Sequence, residues 1–126
     1  MIKGIGVDLV EIHRVVHACE REHFLHKIFT EEEIAQMDDG HRRAASDFAG
    51  KEAVVKILGT GFSGVEASEI AILRDERGAP YVMLYGRAKE RAFEMGIRKI
   101  HISISNTSDQ VMAFAVGTDE ECGVEW

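Results

Sequence analysis

Lys99-Ile100-His101-Ile102-Ser103-Ile104-Ser105 alternates polar and apolar residues without a break. A turn-forming stretch, Asn106 to Asp109, follows it, and then a second extended run from Val111 to Val116. Alternation with a period of two sends successive side chains to opposite faces, which is the signature of a half-buried strand. Two such runs across a short polar turn predict an antiparallel hairpin. Upstream, Glu69 to Leu73 and Pro80 to Leu84 flank Asp75-Glu76-Arg77-Gly78 and predict a second hairpin. Between the two hairpins, Gly86 to Met95 reads as a helix with Gly96 as its cap.

The N-terminal half reads mainly as helix. His41 to Leu58 is rich in alanine and ends at Gly59-Thr60-Gly61, where glycine can take the left-handed conformation that stops a helix. Phe48, Glu52, Val55 and Gly59 share one side of it at spacings of three and four. Thr30-Glu31-Glu32-Glu33 is a capping box that opens a short helix through Met37, with Asp38-Asp39-Gly40 breaking it. Glu11 to Lys27 reads as one helix carrying Ile12, Val15, Val16, Cys19 and Phe24 near one apolar side. Residues 2–8 form an opening strand ending near Asp8. Helices and antiparallel hairpins without a βαβ alternation predict an α+β fold, with the hairpins packed on a long central helix and an N-terminal helix. We expect one domain over residues 1–118 and an acidic tail over 119–126 that begins Asp119-Glu120-Glu121.

With 45% hydrophobic and 29% charged residues, the 126-residue chain has the composition of a globular domain. Its net charge of −7 makes nucleic acid an unsuitable partner, because neutralising phosphates requires a basic face. No apolar run approaches the roughly 20 residues that span a bilayer, and Asp8 interrupts any signal-peptide core, so no membrane role is expected. Cys19 and Cys122 lack metal-site spacing and read as free thiols of a cytoplasmic protein.

Two acids stand out. Asp8 closes an apolar strand, and Glu52 lies mid-helix beside Phe48 and Val55. A carboxylate on a core-facing side needs a cation, a metal or a helix end, and two brought together need positive charge between them. Mg²⁺ suits such a pair, taking one or two carboxylates and completing its shell with water and phosphate. Equally, Asp8 could cap the following helix and Glu52 could pair with Lys56 one turn on. Spacing alone leaves both readings open. Gly59-Thr60-Gly61 suits a phosphate-binding turn or simply a helix stop. Ser103, Ser105, Asn106 and Thr107 suit either a ligand-binding loop or ordinary turn chemistry. His13 and His17, four apart, read as a solvated helix face, since no further ligands accompany them.

Taken in order, four segments are more specific than any one alone. Gly4-Ile5-Gly6-Val7-Asp8-Leu9-Val10-Glu11-Ile12, Phe48-Ala49-Gly50-Lys51-Glu52-Ala53 with Lys56 and Gly59-Thr60-Gly61, Gly78-Ala79-Pro80, and His101-Ile102-Ser103-Ile104-Ser105 resemble the holo-acyl-carrier-protein synthase family from Ile2 to about Gly117. The resemblance implies a cytoplasmic transferase of fatty-acid biosynthesis and lipid metabolism. It would move the 4′-phosphopantetheine arm of coenzyme A onto a serine of an acyl-carrier protein.

By that resemblance Asp8 and Glu52 are the Mg²⁺ ligands, and Glu52 and Lys56 carry the catalysis. Coenzyme A is held by Lys56, Gly59, Gly61, Pro80, Ser105, Asn106 and Thr107, and the acidic carrier by Arg14 and Arg21. A homotrimer with active sites at subunit interfaces is implied as well. The chain departs from the pattern twice. Asn106 stands where the family usually has His, so no imidazole base is available, and Asp47 stands where it usually has Arg, adding negative charge where phosphate is expected. These departures motivate an alternative, a coenzyme A- or carrier-binding module of the same fold with impaired catalysis. A third possibility is a metal-dependent phosphohydrolase using the same carboxylates.

Overall fold

The computed structural model describes residues 1–37 and 40–120. A three-stranded antiparallel sheet has the order β1-β5-β4, with β1 at Ile2–Glu11, β4 at Lys99–Asn106 and β5 at Gln110–Thr118. A separate hairpin joins β2 (Ile70–Arg74) to β3 (Pro80–Leu84). The helices are α1 (Ile12–Cys19), α2 (Glu22–Ile28), α3 (Glu31–Ala35), α4 (Arg42–Leu58) and α5 (Gly86–Glu94). The α+β expectation holds, and α4 is the central element.

Alanine explains the place of α4. Ala44, Ala45, Ala49 and Ala53 are all fully buried, and small side chains let strands and helices approach the helix axis closely from several directions. On the strand side the approach is tighter still. A Cβ on Gly6 would overlap the carbonyl group of Ala53, so backbone lies directly on backbone where β1 crosses α4. Gly59 follows the helix at φ 72°, the left-handed cap that the sequence predicts.

Three expectations are corrected. β1 does not end near Asp8. It runs on to Glu11 because Leu9, Val10 and Glu11 pair with Met112, Val111 and Gln110 of β5. The predicted helix from Glu11 to Lys27 is two helices, broken at Glu20-Arg21, where Arg21 turns to extended φ/ψ ahead of α2. Asp8 does not cap the next helix either: α1 is preceded by Glu11, whose side chain makes no capping bond, while the Ile12 amide donates to the Asp109 carbonyl at 2.9 Å. The Thr30–Glu33 capping box is present as expected. Asp38 and Asp39 of the predicted helix break, and residues 121–126 of the predicted tail, including Cys122, lie outside the described residues.

The sheet has two unlike faces. Gly6, Asp8 and Val10 point toward α4, whereas Ile5, Val7 and Leu9 point away, beside Val116, Phe114 and Met112 of β5. Five of these six side chains are exposed, Ile5 and Leu9 to 61% and 60%. Across from Phe114 and Met112, β4 contributes Ser103 and Ser105. No helix of the described residues is long and apolar enough to cross a membrane.

Candidate active site

Asp8 and Glu52 come together where β1 crosses α4. Both line a cavity of about 450 Å³ whose walls include Val15, Ala18, Phe24 and Phe48, with Arg14 also on the lining. Asp8 arrives from the sheet's inner face and is 18% exposed at its side chain. Glu52 arrives from mid-helix and is half-buried. Burial holds the Glu52 carboxyl above its ordinary value, and the nearby negative charge of Asp8 pushes it the same way, against a smaller opposite pull from Lys56. A carboxyl raised in this way takes a proton more readily, or a neighbouring cation in its place.

Lys56 is that cation in the free chain, although it does not serve as Glu52's partner in a simple i,i+4 pair. Its Nζ donates to the Val7 carbonyl at 2.8 Å and to Asp8 Oδ1 at 3.2 Å, crossing from helix to strand. The donor set fits Mg²⁺: two carboxylates at the mouth of an open cavity leave most of a six-oxygen shell for water and phosphate. Among the described residues no group of three or more His, Cys, Asp or Glu side chains converges. His13 and His17 sit exposed beside Glu11 and Glu20, as a solvated face would have them.

Just past Lys56, Gly59 and Gly61 both have positive φ and open space around their Cα atoms. Thr60 Oγ1 donates to the Gly61 carbonyl at 2.8 Å, which ties the turn. The remaining predicted residues lie elsewhere. Pro80 and Asn106 line a second cavity of about 300 Å³, together with Arg42, Arg43, Ser46 and Arg74. Ser105 and Thr107 are exposed near the β4–β5 turn, where Thr107 Oγ1 accepts from the amides of Asp109 and Gln110. Arg14 and Arg21 are exposed.

One charged residue of α4 behaves differently from the expectation, and a second has a role that the sequence did not suggest. Asp47 does not add bare negative charge to a phosphate site. It is 1% exposed, and its Oδ1 lies 2.9 Å from Nη1 of Arg74. Lys51, in the same segment as Glu52, is a buried structural cation. Its Nζ donates to Glu33 Oε1 at 2.7 Å and to the carbonyls of Ala67 and Ile70. Glu33 also accepts from the Ile72 amide at 3.0 Å, which joins α3, α4 and β2. Among sequence signals, only the Thr30 capping box pointed toward this network, by fixing where Glu33 sits.

A long helix crossing a three-stranded sheet, with two carboxylates at the crossing and a glycine turn one step on, defines a phosphate-handling α+β domain. The chain belongs to the 4′-phosphopantetheinyl transferase superfamily, whose pattern matches residues 4–115. Its relatives give the particular type. Over 117 residues it is 53% identical to the holo-[acyl-carrier-protein] synthase of Lachnoclostridium phytofermentans, covering 93% of this chain and 96% of that one. The crystal structure of holo-[acyl-carrier-protein] synthase from Neisseria meningitidis superposes with TM-score 0.84 at 32% identity, covering 94% and 99% of the two chains. The Bacillus anthracis holo-(acyl-carrier-protein) synthase, solved in complex with CoA (3′,5′-ADP), superposes with TM-score 0.74 at 28% identity over 93% and 96%.

Proposed function

We propose that this protein transfers the 4′-phosphopantetheine arm of coenzyme A to a serine of an apo-acyl-carrier protein and releases adenosine 3′,5′-bisphosphate, with Mg²⁺ as cofactor. The observation that carries the reading is the convergence of Asp8 and Glu52, with Lys56 reaching across to Asp8. Asp8 and Glu52 would hold the metal. When bound, it would supply charge neutralisation to the pyrophosphate oxygens, the main demand of phosphoryl transfer.

The protein's own groups account for the rest. The serine oxygen forms a bond to the β-phosphorus, the bond from that phosphorus to the bridging oxygen breaks, and the bisphosphate leaves with the electron pair. Lys56, free to turn from Asp8 when a cation is bound there, donates to the phosphate oxygens. Asn106 cannot take a proton, so the serine proton passes through water to a Glu52 oxygen that the metal leaves free. The glycine turn at Gly59 and Gly61 offers backbone to the nucleotide at open positions. Arg14, beside the cavity on the exposed side of α1, and Arg21 would steer an acidic carrier to the mouth of the site.

The assembly we propose is a homotrimer. The bare apolar face of the sheet supports it, since Ile5, Val7, Leu9, Met112 and Phe114 form one contiguous exposed patch of the kind that marks an interface. Pro80 and Asn106 lie away from the carboxylates in a single chain, in keeping with a site completed by a neighbouring copy. Cytoplasmic location is part of the same reading, in line with the free, buried Cys19.

Glu52→Gln tests the proposal. Mass spectrometry of an apo-carrier protein incubated with coenzyme A and Mg²⁺ should show the added arm with the wild type. The variant should lose at least about a hundredfold in rate while keeping its fold, as expected on removing a proton acceptor. Near-normal turnover in Glu52→Gln would count against the mechanism, and coenzyme A breakdown without carrier would favour the phosphohydrolase.

A further inference from the structure

The glycine turn after α4 is tied at its carbonyls and open at its amides. Gly59, Thr60 and Gly61 alternate left-handed, right-handed and left-handed backbone, at φ 72°, −102° and 58°. Alternation of that kind gathers successive N–H groups into one concavity, a shape that takes an anion. The Thr60 carbonyl accepts from the Ser63 hydroxyl at 2.9 Å, and the Gly61 carbonyl from the Thr60 hydroxyl at 2.8 Å. Among the described residues the amides of Thr60 and Gly61 donate to nothing.

Among the described residues one hydrogen bond reaches this turn from a part of the fold other than α4, and it comes from an arginine. Arg91 Nε, on α5, donates at 3.0 Å to the carbonyl of Leu58, the last residue of α4. The amide of the same peptide unit, that of Gly59, donates to the Val55 carbonyl at 3.1 Å. The peptide from which the turn springs is therefore held at both ends, and only the Arg91 end depends on a distant element. That end has a firm base, because Ala88 and Ala92 of α5 are fully buried. A basic side chain on the last carbonyls of a helix is stabilising in itself. Here the turn adds a second consequence: a tilt of the Leu58–Gly59 peptide swings the Thr60 and Gly61 amides, whose direction decides what the concavity can hold.

We propose that Arg91 is a positioning residue for coenzyme A: from α5 it fixes the Leu58–Gly59 peptide and so keeps the Thr60 and Gly61 amides converged on a phosphate of the substrate. The inference rests on the proposed substrate and adds how its phosphate seat is kept in shape before binding. Pre-organisation lowers the ordering cost of association, so its loss weakens binding more than turnover.

Two substitutions separate the hydrogen bond from the charge. Arg91→Gln places a side-chain nitrogen the same number of bonds from Cα as the arginine Nε, keeping a donor and losing the charge. Arg91→Met loses both. Glutamine and methionine are good helix formers and position 91 is half-buried, so each variant should fold. In the transfer assay Arg91→Met should raise KM for coenzyme A about tenfold, the effect of one charge-assisted hydrogen bond, with kcat and the KM for carrier protein near wild type. Arg91→Gln should recover most of that loss. A merely stabilising cap would lower the melting temperature and leave KM for coenzyme A unchanged, which would overturn the proposal. Equal losses in the two variants would overturn it too, since coenzyme A would then be sensing the charge rather than the hydrogen bond. Calorimetry with coenzyme A alone separates this inference from the proposed reaction. Weaker binding by Arg91→Met, recovered in Arg91→Gln, supports it even if no carrier is modified. Equal binding by all three proteins refutes it even where the arm is transferred, and a wild type that binds no coenzyme A refutes both.

Discussion

Lys51 and Lys56 lie on one helix, five residues apart, and should fail in opposite ways when the charge is removed. Lys51→Met keeps the length and removes the ammonium that Glu33 Oε1 and the carbonyls of Ala67 and Ile70 all contact. Glu33 and Lys51 are both fully buried, so the carboxylate left behind has lost its cation away from water. Removing one partner of a buried pair costs about 3–5 kcal/mol. Glu33 keeps the amides of Thr30 and Ile72 as donors, which places the loss toward the lower end of that range. Each kcal/mol lowers the melting temperature of a chain this size by about 4 °C, so a fall of about 12 °C or more is expected. The assay is thermal unfolding followed by circular dichroism at one fixed protein concentration, because assembly also moves the midpoint. Transfer activity per folded molecule should stay near wild type. Lys56→Met should do the reverse: the exposed side chain leaves the midpoint within a few degrees, and turnover falls. A Lys51→Met protein that melts like wild type yet cannot transfer the arm would refute this division of labour.

The acid limb of the activity profile should follow Glu52, whose carboxyl is raised by burial and by Asp8 and lowered by Lys56. Its folded value lies above its unfolded one, so protonation is favoured in the fold and Mg²⁺ affinity rises as pH climbs through that raised value. Lys56→Met should move the limb to higher pH and Asp8→Asn to lower pH, read from initial rates at fixed Mg²⁺. Phe114→Glu places a charge at the centre of the exposed sheet face, beside Val7. Light scattering should report smaller particles than wild type, and an unchanged mass would count against that face as the interface.

Much of the fold was legible because its signals are local. The β4–β5 hairpin follows from alternation around Ile100, Ile102 and Ile104, α4 from its alanines and Gly59, and α3 from Thr30 and Glu33. The corrections share one cause, which is contact between residues far apart in sequence. Nothing near Leu9 tells a strand end from a strand middle; the length of β5 decides it. Ile12, Val15 and Cys19 keep helical spacing toward Phe24, and no glycine or proline marks the break at Arg21. The Asp8–Glu52 site could be suspected from placement, but its charge logic depends on Lys56 reaching a strand 48 residues away. Asp47 and Lys51 were the least legible. Their partners Arg74 and Glu33 are named by the packing of β2 and α3 rather than by any nearby residue.

The glycine at position 6 sets more than a close approach. Because strand and helix meet there main chain to main chain, the gap between the two acids is gauged by peptide units rather than by side chains that can change rotamer. Neighbouring core residues can therefore change without altering the spacing of the two carboxylates. One added methyl group at that crossing would force strand and helix apart while leaving every acid and base in the sequence intact.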